Sequence, residues 1–100
     1  MILYNVTVNI DVAVEEEWVQ WMKDTHIPNV MSTGIFLDNK FYKLLHEVEE
    51  GGVNYSVQYF AENMDKIMEY QENYAPALQA EVKEKYEGKY ITFRSHLESV

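Results

Sequence analysis

The chain has no cysteine, which removes disulfide frameworks, thiolate zinc sites and thiol nucleophiles together. It is also poor in positive charge. Eight Lys and Arg stand against 17 Asp and Glu, a formal net charge of -9, so a phosphate backbone or an anionic membrane surface would be repelled on average. No nucleic-acid or membrane partner is expected. No apolar run approaches the roughly 20 residues of a membrane span, and Asn5, Thr7 and Asn9 interrupt the opening stretch where a signal peptide needs continuous apolar residues. A cytoplasmic protein is the expectation. Glycine-rich phosphate loops, a nucleophile elbow and a serine triad are all missing, so nucleotide-dependent and hydrolytic enzymes lose their usual signatures. His26, His46 and His96 fall on three different elements without a His-x-His or His-x-x-x-His pair, so no metal site is expected, and no cofactor is implied by any motif.

What is present is order. With 47% apolar residues in 100, the chain can bury a core as a single domain, residues 1–100. Ile2, Tyr4, Val6, Val8 and Ile10 alternate with Leu3, Asn5, Thr7 and Asn9, which predicts a strand with one face toward a core. Asp11 offers an N-cap, and Glu15, Glu16 and Glu17 put negative charge where a helix dipole favours it. Val14, Trp18, Trp21, Met22 and Thr25 follow at helical spacing. Pro28 disturbs the ladder and biases Ile27 away from the helical region, so a kink or a fresh turn is expected there. A second, irregular strand over Ile35 to Glu47 reads as an edge strand with a bulge, with Ile35, Leu37, Phe41 and Leu45 on its apolar face.

Gly51 and Gly52 predict the hairpin turn into a third strand, with Val53, Tyr55, Val57 and Tyr59 inward and Asn54, Ser56 and Gln58 outward. Asn63 caps a second helix whose inward stripe reads Met64, Ile67, Met68, Gln71, Tyr74 and Leu78, then Val82 and Tyr86, with Pro76 interrupting and Gly88 closing. In the last strand Ile91, Phe93, Ser95 and Leu97 alternate against Tyr90, Thr92, Arg94 and His96. The sequence of periodicities is βαββαβ, an α+β ferredoxin-like plan: a four-stranded antiparallel sheet with two helices on one face.

Two constellations stand out. Trp18, Met22 and His26 lie four apart on one helical stripe, so the imidazole would end an aromatic groove between helix and sheet, where it could act as a general base or hydrogen-bond a ligand. The alternative is that both tryptophans are simply core. The second is the polar side of the sheet, where Asn5, Thr7 and Asn9 would lie beside Asn54, Ser56 and Gln58, with Thr92, Arg94 and His96 on the neighbouring edge. Amides and hydroxyls without many charges suit a subunit interface, and Arg94 there could orient a carboxylate of a ligand or of a dimer partner.

The segments Tyr4-Asn5-Val6-Thr7-Val8-Asn9, Trp18 to Met22, His26-Ile27-Pro28, Tyr55-Ser56-Val57-Gln58-Tyr59 and Tyr74-Ala75-Pro76-Ala77-Leu78-Gln79 together resemble a small bacterial family of unknown function. The resemblance implies a fold of the dimeric α/β-barrel type, similar to EthD-like proteins, antibiotic-biosynthesis monooxygenases and muconolactone isomerases, whose sheets usually pair face to face. Its haem-degrading members would place an asparagine at Asn5 or Asn9, but a tryptophan and a histidine where this chain has Tyr59 or Phe60 and Tyr74. The combined expectation is a homodimer with a groove lined by Trp18, Met22, His26, Tyr59 and Tyr74 that binds a small aromatic or polar metabolite. Two alternatives remain: a cofactor-free monooxygenase or isomerase, with His26 as base and Arg94 or Asn5 holding a substrate oxygen, and a structural or regulatory interaction module.

Overall fold

The alternation of the first and third strands is realised in the sheet of the computed structural model, which describes residues 1–45 and 51–100. Strands β1 (Ile2–Ile10), β2 (Asp38–Lys43), β3 (Val53–Ala61) and β4 (Tyr90–Glu98) form one antiparallel sheet in the order β2-β3-β1-β4. Ile2, Tyr4, Val8 and Ile10 from β1 are buried with Tyr55, Val57, Tyr59 and Ala61 from β3. Helices α1 (Glu15–Trp21), α2 (Ile27–Met31), α3 (Met64–Asn73) and α4 (Ala75–Tyr86) supply the other half of that core through Trp18, Ile27, Val30, Ile67, Tyr70 and Tyr86. The fold is α+β and ferredoxin-like.

Asp11 caps not α1 itself but a short 3-10 turn, Val12–Val14, by accepting from the Ala13 N–H at 2.8 Å. Glu15 then does two jobs at the start of α1. It favours the helix dipole and accepts a 2.6 Å hydrogen bond from the Tyr55 hydroxyl, with Lys43 Nζ 3.1 Å away, so it ties α1 to β3 and β2. These two partners hold the Glu15 carboxyl below its ordinary range.

Pro28 does not halt the helical path: α1 runs through a π turn into α2, with Pro28 in the first turn of α2. The proline has no N–H for the Asp24 carbonyl and its ring crowds that group, and the chain widens into a π-helical turn over Met22–His26, in which the Ile27 N–H donates to the Met22 carbonyl five residues back. Pro76 acts differently. The helix breaks at Tyr74 (φ -126°, ψ -40°) and α4 begins afresh with Pro76 in its first turn.

That break changes the inward stripe. Ile67, Tyr70, Ala75 and Tyr86 are buried, with Leu78 and Val82 half-buried, whereas Met64, Met68, Gln71 and Tyr74 face solvent. The second strand is shorter than expected and pairs with β3 in an unbroken register over the residues Asp38 to Lys43, without a bulge. Ile35 and Phe36 are buried ahead of it, while Leu37 and Leu45 are exposed. Positions 46–50, which include His46 and the expected strand end at Glu47, lie outside the described residues.

The largest correction concerns β4. Its register sets Tyr90, Thr92, Arg94 and His96 opposite Ile10, Val8, Val6 and Tyr4, so these four share the helix side of the sheet. Ile91, Phe93 and Leu97 therefore point to the helix-free side, where they are 73%, 70% and 49% exposed. As an edge strand, β4 has neither face fully covered, so its more apolar residues are not obliged to point inward.

Candidate functional site

A cavity of about 60 Å³ lies between the helices and the sheet. Its walls come from every layer: Tyr4 on β1, Tyr59 on β3, Thr92 and Arg94 on β4, His26 at the end of the π turn, and Tyr70 on α3. Trp18 and Met22 also line it. The sequence stripe Trp18, Met22, His26 thus reaches one space together with Tyr59, and Arg94 joins them from a face on which it was not expected. Asn5 and Tyr74 do not. Asn5 is on the opposite side of the sheet because it alternates with Tyr4 and Val6, and Tyr74 is turned outward by the helix break. Tyr4 and Tyr70 take part without having been singled out.

The π turn positions the imidazole. Bonding between residues five apart brings position 26 beside position 21, and the His26 ring stacks on Trp21 with centroids 5.3 Å apart and 24° between planes. Trp21 in turn meets Tyr86 edge-on at 5.5 Å, so the stack is braced from α4. On the far wall Tyr4, Phe36, Tyr59 and Tyr70 form an aromatic cluster, with Phe36 4.9 Å from Tyr70 and 5.1 Å from Tyr59.

Two polar atoms of the lining residues have no partner among the described residues. His26 Nδ1 and the Tyr59 hydroxyl are buried without a hydrogen bond there, although buried polar groups are nearly always satisfied. Burial lowers the His26 pKa to about 4, and the Arg94 charge adds to the effect, so the ring is neutral at pH 7. Burial also raises the phenols of Tyr59, Tyr70 and Tyr4, which stay protonated. Arg94 Nε donates to the Tyr4 hydroxyl at 3.1 Å and its Nη1 donates to Thr92 Oγ1 at 3.2 Å. Arg94 and Thr92 bring the cavity to the β4 edge of the sheet, where Arg94 is exposed.

The helix-free side has a different character. The Ser56 hydroxyl donates to Asn5 Oδ1 at 2.6 Å, Asn5 Nδ2 donates to Thr7 Oγ1 at 3.1 Å, Gln58 Nε2 donates to Ser56 Oγ at 3.1 Å, and Asn9 Nδ2 donates to Asn54 Oδ1 at 2.9 Å. These side chains satisfy one another across β1 and β3. The exposed Ile91, Phe93 and Leu97 flank them on β4, and Tyr42 flanks them on β2.

No group of three potential metal-ligating side chains occurs among the described residues. A porphyrin does not fit the residues present, because the cavity is far smaller than such a ring. No helix among the described residues is long and apolar enough to cross a membrane.

Solved structures share the architecture at low identity. HapK from Hahella chejuensis aligns over 100% of this chain and 93% of its own, with 8% identity and a TM-score of 0.73. An EthD family protein from Bacillus halodurans covers 100% of both chains, with 13% identity and a TM-score of 0.69. A dimeric ferredoxin-like protein from an uncultured marine organism aligns over 99% of this chain and 94% of its own, with 12% identity and a TM-score of 0.61. No curated protein sequence matches the chain. The sequence itself matches one family over residues 1–100, and the chain accordingly belongs to DUF4286, a domain of unknown function.

Proposed function

We propose that residues 1–100 act as one domain of a cytoplasmic homodimer, joined through the helix-free sheet face, that binds a small polar molecule in the cavity beside His26. The observation that carries the ligand reading is the pair of buried atoms without a partner among the described residues, His26 Nδ1 and the Tyr59 hydroxyl, both on residues that line one space. Leaving such groups unpaired costs about 1–3 kcal/mol each, a cost that a bound ligand would offset. Trp18, Met22 and Tyr70 supply the apolar wall, and Tyr59, His26 and Arg94 supply the polar contacts.

A thermal-shift screen of small amides, alcohols, phenols and acids tests this reading. Wild-type protein should be stabilised by at least one class, and Tyr59→Phe should lose that stabilisation. A screen in which no compound shifts the wild type would remove the proposed site.

The dimer rests on the other face. Its amides and hydroxyls already satisfy one another, so they can lose water at little cost, and Ile91, Phe93 and Leu97 offer apolar area that a second copy would cover. A dimeric ferredoxin-like neighbour gives self-association as such a precedent. Sedimentation should give twice 11.8 kDa, and Phe93→Glu should give a folded monomer. A wild-type monomer at micromolar concentration would exclude the pairing.

Catalysis by His26 as a general base is less well supported than binding. A conjugate acid with a pKa of about 4 is mismatched to proton abstraction at neutral pH. In the absence of a charged ligand, His26 is a neutral hydrogen-bonding group.

A further inference from the structure

We infer that the cavity selects the carboxylate head of a small organic acid, held by Arg94 at the rim and by the Tyr59 and Tyr4 hydroxyls within, with the remainder of the acid directed past β4. This inference rests on the reading of the cavity as a ligand site.

The inventory of its wall leads to that class. The chain has 17 acidic residues, yet among the described residues no acidic side chain lines the cavity, and the single arginine of the sequence does. No ion pair of Arg94 occurs among the described residues, since the two salt bridges found there belong to Lys43 and Lys85. Its Nε and Nη1 donate to the hydroxyls of Tyr4 and Thr92, which fixes the guanidinium plane, and among the described residues Nη2 has no acceptor. The Tyr4 oxygen accepts from Arg94, and among the described residues its own proton has no recorded acceptor. The Tyr59 hydroxyl has no partner among the described residues.

The cavity therefore presents fixed donors and one cation, with His26 Nδ1 as its unpaired imidazole atom. An acceptor-rich anion is their complement. The volume sets the size. About 60 Å³ is roughly the share of two liquid waters at ~30 Å³ each; it suits a carboxylate group but not an aromatic ring. A carboxylate so placed would also offset the Arg94 charge that opposes protonation of His26, allowing the imidazole to take up a proton and become a further donor.

Calorimetric titration of the full chain with acetate and propionate, propionamide, nitrate and phosphate, each in matched sodium chloride at pH 7, tests the inference. Propionate should bind and propionamide should bind at least tenfold more weakly. Arg94→Gln, at an exposed position, should keep its far-ultraviolet spectrum and lose at least tenfold in propionate affinity, with Arg94→Lys recovering part of it. Equal binding of propionamide and propionate would overturn the anion assignment while leaving the site. Binding of nitrate or phosphate but of neither carboxylate would overturn the organic-acid assignment. Failure of all these probes, together with every neutral compound of the thermal-shift screen, would overturn the site itself.

Discussion

Lowering the pH from 7 to 4 should remove a definable part of the stability through one side chain. His26 titrates near 4 in the folded chain against 6.5 in its ordinary state, so between those values the unfolded chain holds the proton and the folded chain does not. The sign follows from linkage: stability rises with pH wherever the unfolded state binds more protons. The contribution is complete above about pH 6.5, declines as the pH falls, and levels off below about 4. At ~1.4 kcal/mol per pH unit the displacement corresponds to about 3 kcal/mol, and residual solvent at the half-buried ring brings the expectation nearer to about 2. The ring faces Trp21 on its own helix and the Arg94 charge from β4, and the cavity phenols on β1, β3 and α3 stay protonated throughout. Glu15 loses stability in the same direction at the acid end, so the wild type alone is not diagnostic. Urea unfolding of wild type and His26→Gln at fixed protein concentration, at intervals from pH 7 to 4, isolates the term. The difference between the two curves should change by about 2 kcal/mol across that range. A constant difference would show that the imidazole is solvated in the native state, which would undo the argument from its unpaired nitrogen.

Tyr59→Phe should stabilise the ligand-free protein by about 1 kcal/mol, because it deletes a buried donor that has no partner among the described residues. A gain of that size raises Tm by roughly 4–8 °C in a domain of this length, and a fall in Tm would mean that the hydroxyl has a protein acceptor. At the hairpin, Gly51 and Gly52 have φ of 76° and 78°, so alanine at either should cost about 1–2 kcal/mol for the left-handed backbone. A Cβ at Gly52 would also run into the Asn9 side chain, whereas one at Gly51 meets open space. Chemical denaturation should therefore rank Gly52→Ala below Gly51→Ala, and equal losses would contradict that close approach.

The central strands and the class of fold were legible because β1 and β3 each carry apolar residues on one face and amides or hydroxyls on the other. Only one orientation buries the first set. The last strand carries no such instruction. Both of its faces include apolar groups, and an edge strand half covered by helices leaves the choice to pairing with β1, which put Ile91 and Phe93 outward and Arg94 inward. Pro28 announced a disturbance, yet a missing N–H and a crowding ring are compatible with a stop, a kink or a widened turn, so the π turn that resolves it was not legible from the proline alone. Pro76 marked the second break, but not the phase change that exchanged Tyr74 for Tyr70 in the core. Tyr4 was visible as an inward residue of β1, and the need of a buried phenol for a partner was the available signal that this face held more than packing.

Before two copies pair, the nine-residue β4 at the sheet margin, with Ile91 and Phe93 on the helix-free side, presents an edge row of backbone groups next to sticky side chains, a template for runaway strand addition by other chains. Mutual repulsion between molecules of net charge -9 is the safeguard against it. That safeguard vanishes near the isoelectric point of about 4.6, where turbidity at low salt should peak and Phe93→Glu should suppress it. An acidic composition here serves colloidal isolation as well as solubility.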